Sequence, residues 1–373
     1  MKIGLVCPYD IARSGGVQEV VLALCEQLEQ KGHTARIITP LLRRNKTRQA
    51  DHIIFVGTAA KVRSPFHTSA EVSVSLNVDE IDSMLEREQF DVLHFHEPWV
   101  PIMSRQLLSR SQAVNVATFH AKLPDSVMSR TIEKVITPYT RSVLKYLSSL
   151  TAVSETAADY IHSLTAQPIT IIPNGVDLNA YRPAAPQKTG TRQILYVGRL
   201  EKRKGVKYLL QAFAQLSQTD DSTKLIIVGD GPQRRNLENL VRLQHIPRVS
   251  FLGFVGDDRK RRLMSEADIF CSPAPFGESF GIVLLEAMAS GTLIVAGDNL
   301  GYRSVLKDRG LLSLVNPKDT DDFTRRLELF LHDPALGDLW QAWAKQYVKQ
   351  FAYPRVAEQY EKLYLEAVSK TSS

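Results

Sequence analysis

Apolar positions in this chain fall into short continuous runs separated by longer amphipathic stretches. Lys2–Pro8 is one such run. Gly15 and Gly16 follow, and then Val17, Val20, Val21, Leu24 and Leu28 recur at helical spacing as far as Lys31. A run that short reads as a buried strand, and the 3.6-residue recurrence as a helix laid on a sheet. Gly32 stops the helix and Ala35–Thr39 begins the next strand, which completes a β–α–β unit. Further strands are expected at Ile53–Val56, Val92–Phe95, Asn115–Thr118, Leu150–Ser154 and Thr170–Ile172, with Asp82–Arg87 and Ile102–Ser109 among the helices between them.

The pattern lapses between Val176 and Thr191, where turn residues gather around Pro183 and Pro186 without a period. It then restarts. Strands are expected at Ile194–Gly198, Lys224–Val228, Val249–Leu252, Ile269–Ser272 and Leu293–Ala296. Helices are expected at Val206–Gln218, Arg234–Val241, Arg259–Glu266 and Ile282–Ala289. After Asp321 the chain reads as helical and rich in aromatic residues. With 373 residues it exceeds what one core supports. The expectation is an α/β protein of two Rossmann-like domains, 1–175 and 176–350, facing across a cleft, with a helix over 351–373 packing back toward the first. Ligands of such sheets bind at the carboxyl ends of strands.

Composition is that of an ordinary globular protein and changes little; charge changes more. The net charge is +6, but eight bases and one acid lie between Lys31 and Arg63, and eight acids and one base between Glu71 and Glu97. The basic segment is either a solvated face or a patch for phosphate or anionic lipid. Three scattered cysteines without metal spacing read as buried free thiols in a reducing compartment. The chain opens directly into a strand, so no leader is expected, and no apolar run reaches the length of a membrane span.

Candidate chemistry gathers just after the strands. Gly15-Gly16 at a helix start lets backbone N–H groups approach an anion, or is only a turn. His94, His96 and Glu97 invite a zinc reading, against ordinary buried or hydrogen-bonded histidines. His120 at a strand end could be a base, a hydrogen-bond donor to a sugar, or a loop residue. Arg199 to Gly205 is a basic turn that suits a diphosphate. Gly281, Ile282 and Val283 open a helix, with Glu278 in the loop before it and Glu286 within it. The run Arg259–Arg262 has no nucleic-acid-binding motif beside it, so no nucleic-acid partner is expected.

Two acids separated by seven residues, Glu278 and Glu286, stand with Ile172-Pro173-Asn174-Gly175-Val176-Asp177, Val197-Gly198-Arg199, Lys204-Gly205 and Gly229-Asp230-Gly231-Pro232. On these motifs essentially the whole chain resembles retaining glycosyltransferases of family 4, which have the GT-B fold. Val6-Cys7-Pro8-Tyr9, Gly15-Gly16-Val17-Gln18, Leu93-His94-Phe95-His96-Glu97-Pro98 and Val116-Ala117-Thr118-Phe119-His120 are most similar to the bacterial phosphatidylinositol mannosyltransferases within it.

The resemblance implies a nucleotide-sugar donor, GDP-mannose or UDP-glucose, and a lipid acceptor at an anionic membrane surface, on the cytoplasmic face. Gly16 would lie against the donor diphosphate and His120 near the reacting sugar. Arg199 and Lys204 would hold the diphosphate and Glu278 the donor sugar. Phe280, Gly281, Ile282 and Val283 would present N–H groups, beside the Gly229-Asp230 loop, and Glu286 would bond the ribose. Tyr9, Gln18, Lys61, Arg63 and Trp99 would line the acceptor side. Trp99 and Lys61 depart from the pattern, which keeps a soluble or polysaccharide acceptor open. No Asp-x-Asp pair stands in a site context, so no essential metal is expected. The stretch from Lys122 to Tyr146, interrupted by Pro138, carries Lys122, Arg130, Lys134, Arg141 and Lys145 beside an apolar stripe of Met128, Ile132, Val135, Ile136, Tyr139, Val143, Leu144 and Leu147, and is expected to meet the membrane, although the same stripe would also fit the domain core.

Overall fold

The computed structural model describes residues 1–12, 15–42, 51–63, 69–75, 78–121, 127–183 and 191–371, and the side chains of 41–42, 58–63, 69–75 and 127–135 lie outside that description. The chain divides into two compact units, Met1–Asn174 with Tyr353–Ser373, and Gly175–Ala352.

Unit 1 begins with β1 (Lys2–Val6), α1 (Gly16–Gln30), β2 (Thr34–Leu42), β3 (Ile53–Arg63), β4 (Ser69–Ser75) and α2 (Val78–Glu88). It continues with β5 (Val92–His96), α3 (Met103–Leu108), β6 (Val114–Phe119), α4 (Val127–Leu144), β7 (Ser149–Ala152), α5 (Glu155–His162) and β8 (Ile169–Ile171). The sheet order is β4-β3-β2-β1-β5-β6-β7-β8. Neighbours are parallel except β3 and β4. All residues of β5 and β6 are buried, as a sheet covered on both faces requires.

Two expectations change here. Strand β3 runs on to Arg63 and pairs with β4, which the sequence reading did not anticipate; Lys61 and Arg63 therefore lie on a strand, with their side chains outside the described residues. Helix α4 also runs through Pro138 without a break. The proline removes one backbone hydrogen bond. Tyr139 Oη donating to Val100 O at 3.3 Å and the burial of Thr140, Val143 and Leu144 hold the turn in place. Val143, Leu144 and Leu147, assigned above to a membrane-facing stripe, are buried in the core of unit 1. The start of that stretch, 122–126, and the side chains of 127–135 fall outside the described residues. Among the described residues no helix is long and apolar enough to cross a membrane.

Unit 2 contains β9 (Arg192–Val197), α6 (Val206–Leu216), β10 (Thr223–Val228), α7 (Arg234–Leu243), β11 (Val249–Gly253), α8 (Asp257–Glu266), β12 (Ile269–Ser272) and α9 (Ile282–Ala289). Then come β13 (Leu293–Gly297), α10 (Leu300–Val305), β14 (Leu314–Val315), α11 (Thr320–His332) and α12 (Pro334–Tyr347). Its sheet, β11-β10-β9-β12-β13-β14, is parallel throughout. A parallel bridge joins Val176 to Ala352, so the two ends of this unit are paired.

The last helix, α13 (Tyr353–Thr371), belongs to unit 1. Its buried residues Val356, Ala357, Tyr360, Tyr364 and Ala367 recur at helical spacing, which gives one apolar face. That face joins the core formed by Ile3, Leu5, Val21, Leu24, Leu28, Val92 and Val116. Lys31 and His33, at the end of α1, reach Glu361 at 2.7 and 2.9 Å.

Candidate active site

In unit 1 the polar residues collect where β5 and β6 end. Alternation along β5 puts His94 and His96 on one face, with ring centroids 4.2 Å apart. Both are fully buried, and their surroundings fix their hydrogen bonds. Thr151 Oγ1 donates to Ala117 O at 3.0 Å, so the Thr118 hydroxyl donates in the 2.5 Å contact between the two threonines. With its proton used, Thr118 Oγ1 accepts from His94 Nε2 at 2.6 Å. His94 Nδ1 is then bare and accepts from Tyr364 Oη at 2.7 Å. Tyr360 Oη lies 3.2 Å from Thr118 Oγ1. Helix α13 thus supplies two hydroxyls to a buried polar chain that ends at a β6 carbonyl.

His96 Nδ1 lies 2.9 Å from His120 Nε2. Glu97 has φ +52°, a left-handed backbone that few non-glycine residues adopt. This turn sends its carboxyl group to the next strand end, where the His120 backbone N–H donates to Oε1 at 2.6 Å. Burial pushes the Glu97 carboxyl up to about 8, while the N–H groups of His120, Ala121 and the Trp99 indole pull it back. Burial also holds His94 down to about 3 and His120 to about 4, with Asn174 drawing His120 upward, and keeps His96 well below its usual range. The three imidazoles are therefore neutral near pH 7. The zinc reading does not survive: both His94 nitrogens are occupied, and Glu97 turns to a backbone N–H. Among the described residues no group of three or more His, Cys, Asp or Glu could hold a metal ion.

Gly16 opens α1, and Gln18 Nε2 reaches Asp10 O at 3.5 Å. The Tyr9 hydroxyl is pushed well above its usual range by burial, then by Glu97 and Cys7. Trp99 packs its ring on Phe119 and Tyr160, with centroids 6.0 and 5.6 Å away.

In unit 2 the loop after β9 meets the loop after β12. Gly205 permits the approach. Its φ is +71°, and a Cβ there would strike Pro273 O. Buried Glu201 stands between two arginines, 3.2 Å from Arg199 Nε and 3.0 Å from Arg203 Nε. Glu278 Oε1 takes Arg203 Nη1 at 2.7 Å and Lys204 Nζ at 2.8 Å. Arg203 Nη1 also donates to Gly277 O at 3.0 Å. Three cations against two carboxylates leave a formal charge of +1. Helix α9 begins directly after Gly281, whose φ of +101° and contact with the Tyr302 ring leave no room for a side chain. The N–H groups of Ile282 and Val283 precede any intrahelical acceptor, and Phe280 buries its ring against Phe351. Gly229 and Asp230 follow β10, where Asp230 Oδ1 accepts the Gly231 N–H at 2.7 Å. Glu286 is buried. Its Oε1 is 3.0 Å from Lys260 Nζ, and its Oε2 has no hydrogen-bond partner among the described residues. Lys260 also lies over the Tyr181 ring.

The structure thus brings Arg199, Lys204 and Glu278 together in unit 2, and His120 to the histidine cluster of unit 1. Sequence reasoning missed Arg203, Lys260, Asn174 and the two tyrosines of α13 as members of these clusters. Arg203 and Lys260 stood in basic runs that were visible, but nothing local marked which base turns inward.

Two Rossmann-like units with a cationic loop pair and a helix start at the strand ends define a GT-B sugar transferase. Residues 14–180 match the family described as Glycosyltransferase Family 4, and residues 179–349 match Glycosyl transferases group 1. The chain is 32% identical to a phosphatidyl-myo-inositol mannosyltransferase of Mycobacterium leprae, over 100% of this chain and 98% of that one. It is 33% identical to the Mycolicibacterium smegmatis protein of that name, over 98% and 93%. A glycogen synthase of Mycobacterium tuberculosis is 29% identical over 74% and 69%. Among solved structures, a sucrose-phosphate synthase from Thermosynechococcus elongatus superposes with a TM-score of 0.80 at 21% identity, covering 99% of each chain. Anabaena HepE, in complex with UDP and glucose, does so at 0.79 and 18%, covering 98% of this chain and 100% of that one. This chain belongs to glycosyltransferase family 4 and is a hexosyltransferase.

Proposed function

We propose that the chain is a retaining glycosyltransferase that moves mannose or glucose from a nucleotide-diphosphate sugar to a hydroxyl of a membrane lipid head group, such as phosphatidylinositol or a glycolipid. One observation carries this reading: the likeness to phosphatidyl-myo-inositol mannosyltransferases runs the length of the chain, through both clusters. Unit 2 binds the donor. Arg199 and Lys204 take the diphosphate, together with the backbone of Phe280, Gly281, Ile282 and Val283 and the Gly229-Asp230 loop. Glu286 accepts ribose hydroxyls at Oε2, and Glu278, held by Arg203 and Lys204, meets the sugar. Gly16 adds a close backbone approach to the phosphates. Unit 1 supplies His120 for the sugar hydroxyls, and Tyr9, Gln18, Lys61, Arg63 and Trp99 for the acceptor.

The bond from the anomeric carbon to the phosphate oxygen breaks as the acceptor oxygen forms its bond on the same face, so configuration is retained. Positive charge develops on the sugar ring and negative charge on the departing diphosphate. A net-cationic cluster already in place stabilises that negative charge without reorganising. The departing phosphate oxygen takes the acceptor proton, which leaves the enzyme unchanged. The cations serve where a metal could, so the reaction needs no divalent ion.

The likeness to glycogen synthase favours a second reading, transfer to a soluble or polysaccharide acceptor. The purified chain given GDP- and UDP-hexoses with either anionic vesicles containing phosphatidylinositol or maltooligosaccharides separates the two. Mannosylated or glucosylated lipid, made equally well in excess EDTA, is the expected product, together with vesicle binding that weakens as salt rises. Product only on the oligosaccharide moves the assignment to the second reading. No turnover of any donor by folded protein removes both.

A further inference from the structure

We propose that His96 and Glu97 are positioning residues that hold His120 in one orientation and as one tautomer, with its proton on Nδ1, so that His120 presents an N–H donor to its ligand and is not a general base. The inference rests on the reading above only in making that ligand a sugar hydroxyl.

His96 is fully buried, and its Nε2 has no hydrogen-bond partner among the described residues. A proton on that nitrogen would be a stranded buried donor, which native structures rarely tolerate, whereas a bare lone pair costs less. The proton of His96 therefore sits on Nδ1 and points at His120 Nε2, 2.9 Å away. His120 Nε2 must then be the acceptor, which puts the single proton of its neutral ring on Nδ1. Free imidazole offers either nitrogen, so the neighbour makes the choice. Asn174 is the group that draws His120 toward protonation, yet its buried Oδ1 has no aligned hydrogen bond. His120 is partly exposed, unlike His96, so a ligand can reach it.

Glu97 secures the other half of the residue. Its Oε1 accepts the His120 backbone N–H at 2.6 Å, and Glu97 makes that contact from a left-handed backbone. Strain of that kind persists where the surroundings over-determine it, and it gathers at functional sites. The ring is thus held from one strand end by His96 and the backbone by the next residue along. His94 does not share the task. Its tautomer is the opposite one, with the proton on Nε2, and it is locked by Thr118 and Tyr364.

The test uses the full chain with ¹⁵N-labelled histidine. In the parent, His120 should show a protonated Nδ1 and a bare Nε2, assigned by loss of its signals in His120→Ala. His96→Leu removes the donor and should return His120 toward the Nε2–H form. His96→Asn keeps an N–H at the Nδ1 position and should preserve the Nδ1–H form. In transfer assays His96→Leu should lower kcat by about 10²-fold, the scale of a misplaced reacting geometry. The donor KM should stay within about threefold, and His96→Asn should recover most of the loss. A parent His120 protonated at Nε2, an unchanged His120 spectrum in His96→Leu, or an asparagine variant no better than leucine would each overturn the proposal. If the parent transfers no sugar, the functional reading fails, and the spectra alone still decide the tautomer.

Discussion

The two units share one plan, a parallel sheet with polar residues at its strand ends, yet they handle charge in opposite ways. In unit 2 each carboxylate is set against cations: Glu201 between Arg199 and Arg203, Glu278 between Arg203 and Lys204, Glu286 against Lys260. In unit 1 charge is suppressed by burial. Three histidines are held neutral and Glu97 is pushed toward protonation. The difference teaches that one scaffold can serve two tasks: fixed ions suit a diphosphate, and neutral, directed hydrogen bonds suit sugar hydroxyls.

The largest expected effect breaks the ionic side. Arg199→Ala and Lys204→Ala should each cost about 2–4 kcal/mol of transition-state stabilisation, the range for a removed charge-stabilising donor. Steady-state kinetics on folded variants checks this, and activity within threefold of the parent in both would sink the diphosphate role. A second variant of similar size reports on stability. Lys260→Met strands the Glu286 carboxylate in the core and should cost about 3 kcal/mol, typical of breaking a buried pair. The double variant Lys260→Met/Glu286→Gln should regain most of that in denaturant unfolding. A double variant no more stable than the single would show that the pair is not coupled as described.

The smallest effect is on the neutral side and is read against pH. The histidines have lowered folded pKa values, so the unfolded chain binds more protons between about pH 4 and 6.5, and stability rises with pH across that window. Glu97 is raised to about 8, so the folded chain binds the extra proton between the usual carboxylate range and that value. Its contribution is present at low pH and lost as pH rises through about 8. Unit 1 should therefore be most stable near pH 6.5 and decline toward pH 8.5, by on the order of 1 kcal/mol per pH unit. Glu97→Gln should remove the decline above pH 6.5 and steepen the rise between about pH 4.5 and 6.5, where Glu97 opposes the histidines. Thermal midpoints of the two proteins across that range test it; parallel curves would mean that Glu97 is already ionised.

Much of this was legible in the chain itself. Local periodicity marked β1, α1, β5, β9 and β12, and it located α9 to the residue, because short apolar runs and glycine stops are local signals. Strand β4 escaped because Ser69–Ser75 is mostly small and polar, and only its antiparallel pairing with β3 makes it a strand. The membrane-facing stripe of α4 was misjudged at Val143, Leu144 and Leu147 because an apolar helical face looks the same whether it meets lipid or a core. Arg203 and Lys260 were hidden in basic runs for a related reason. Which of several adjacent cations turns inward depends on a carboxylate about 75 or 26 residues away.

The sequence by itself determined the alternation of strands and helices, the two-unit architecture, the presence of Glu278, Arg199, Lys204 and His120 in loops after strands, and that of Glu286 within helix α9. These follow from period, glycine placement and motif, which are properties of neighbours along the chain. Only the tertiary structure decided which groups share a proton or a charge. His94 meets Tyr364 across 270 positions, and His96 meets His120 because β5 and β6 lie side by side. Whether a histidine is neutral, and which nitrogen carries its hydrogen, depends on burial and on partners within about 3 Å, and no separation along the chain encodes either.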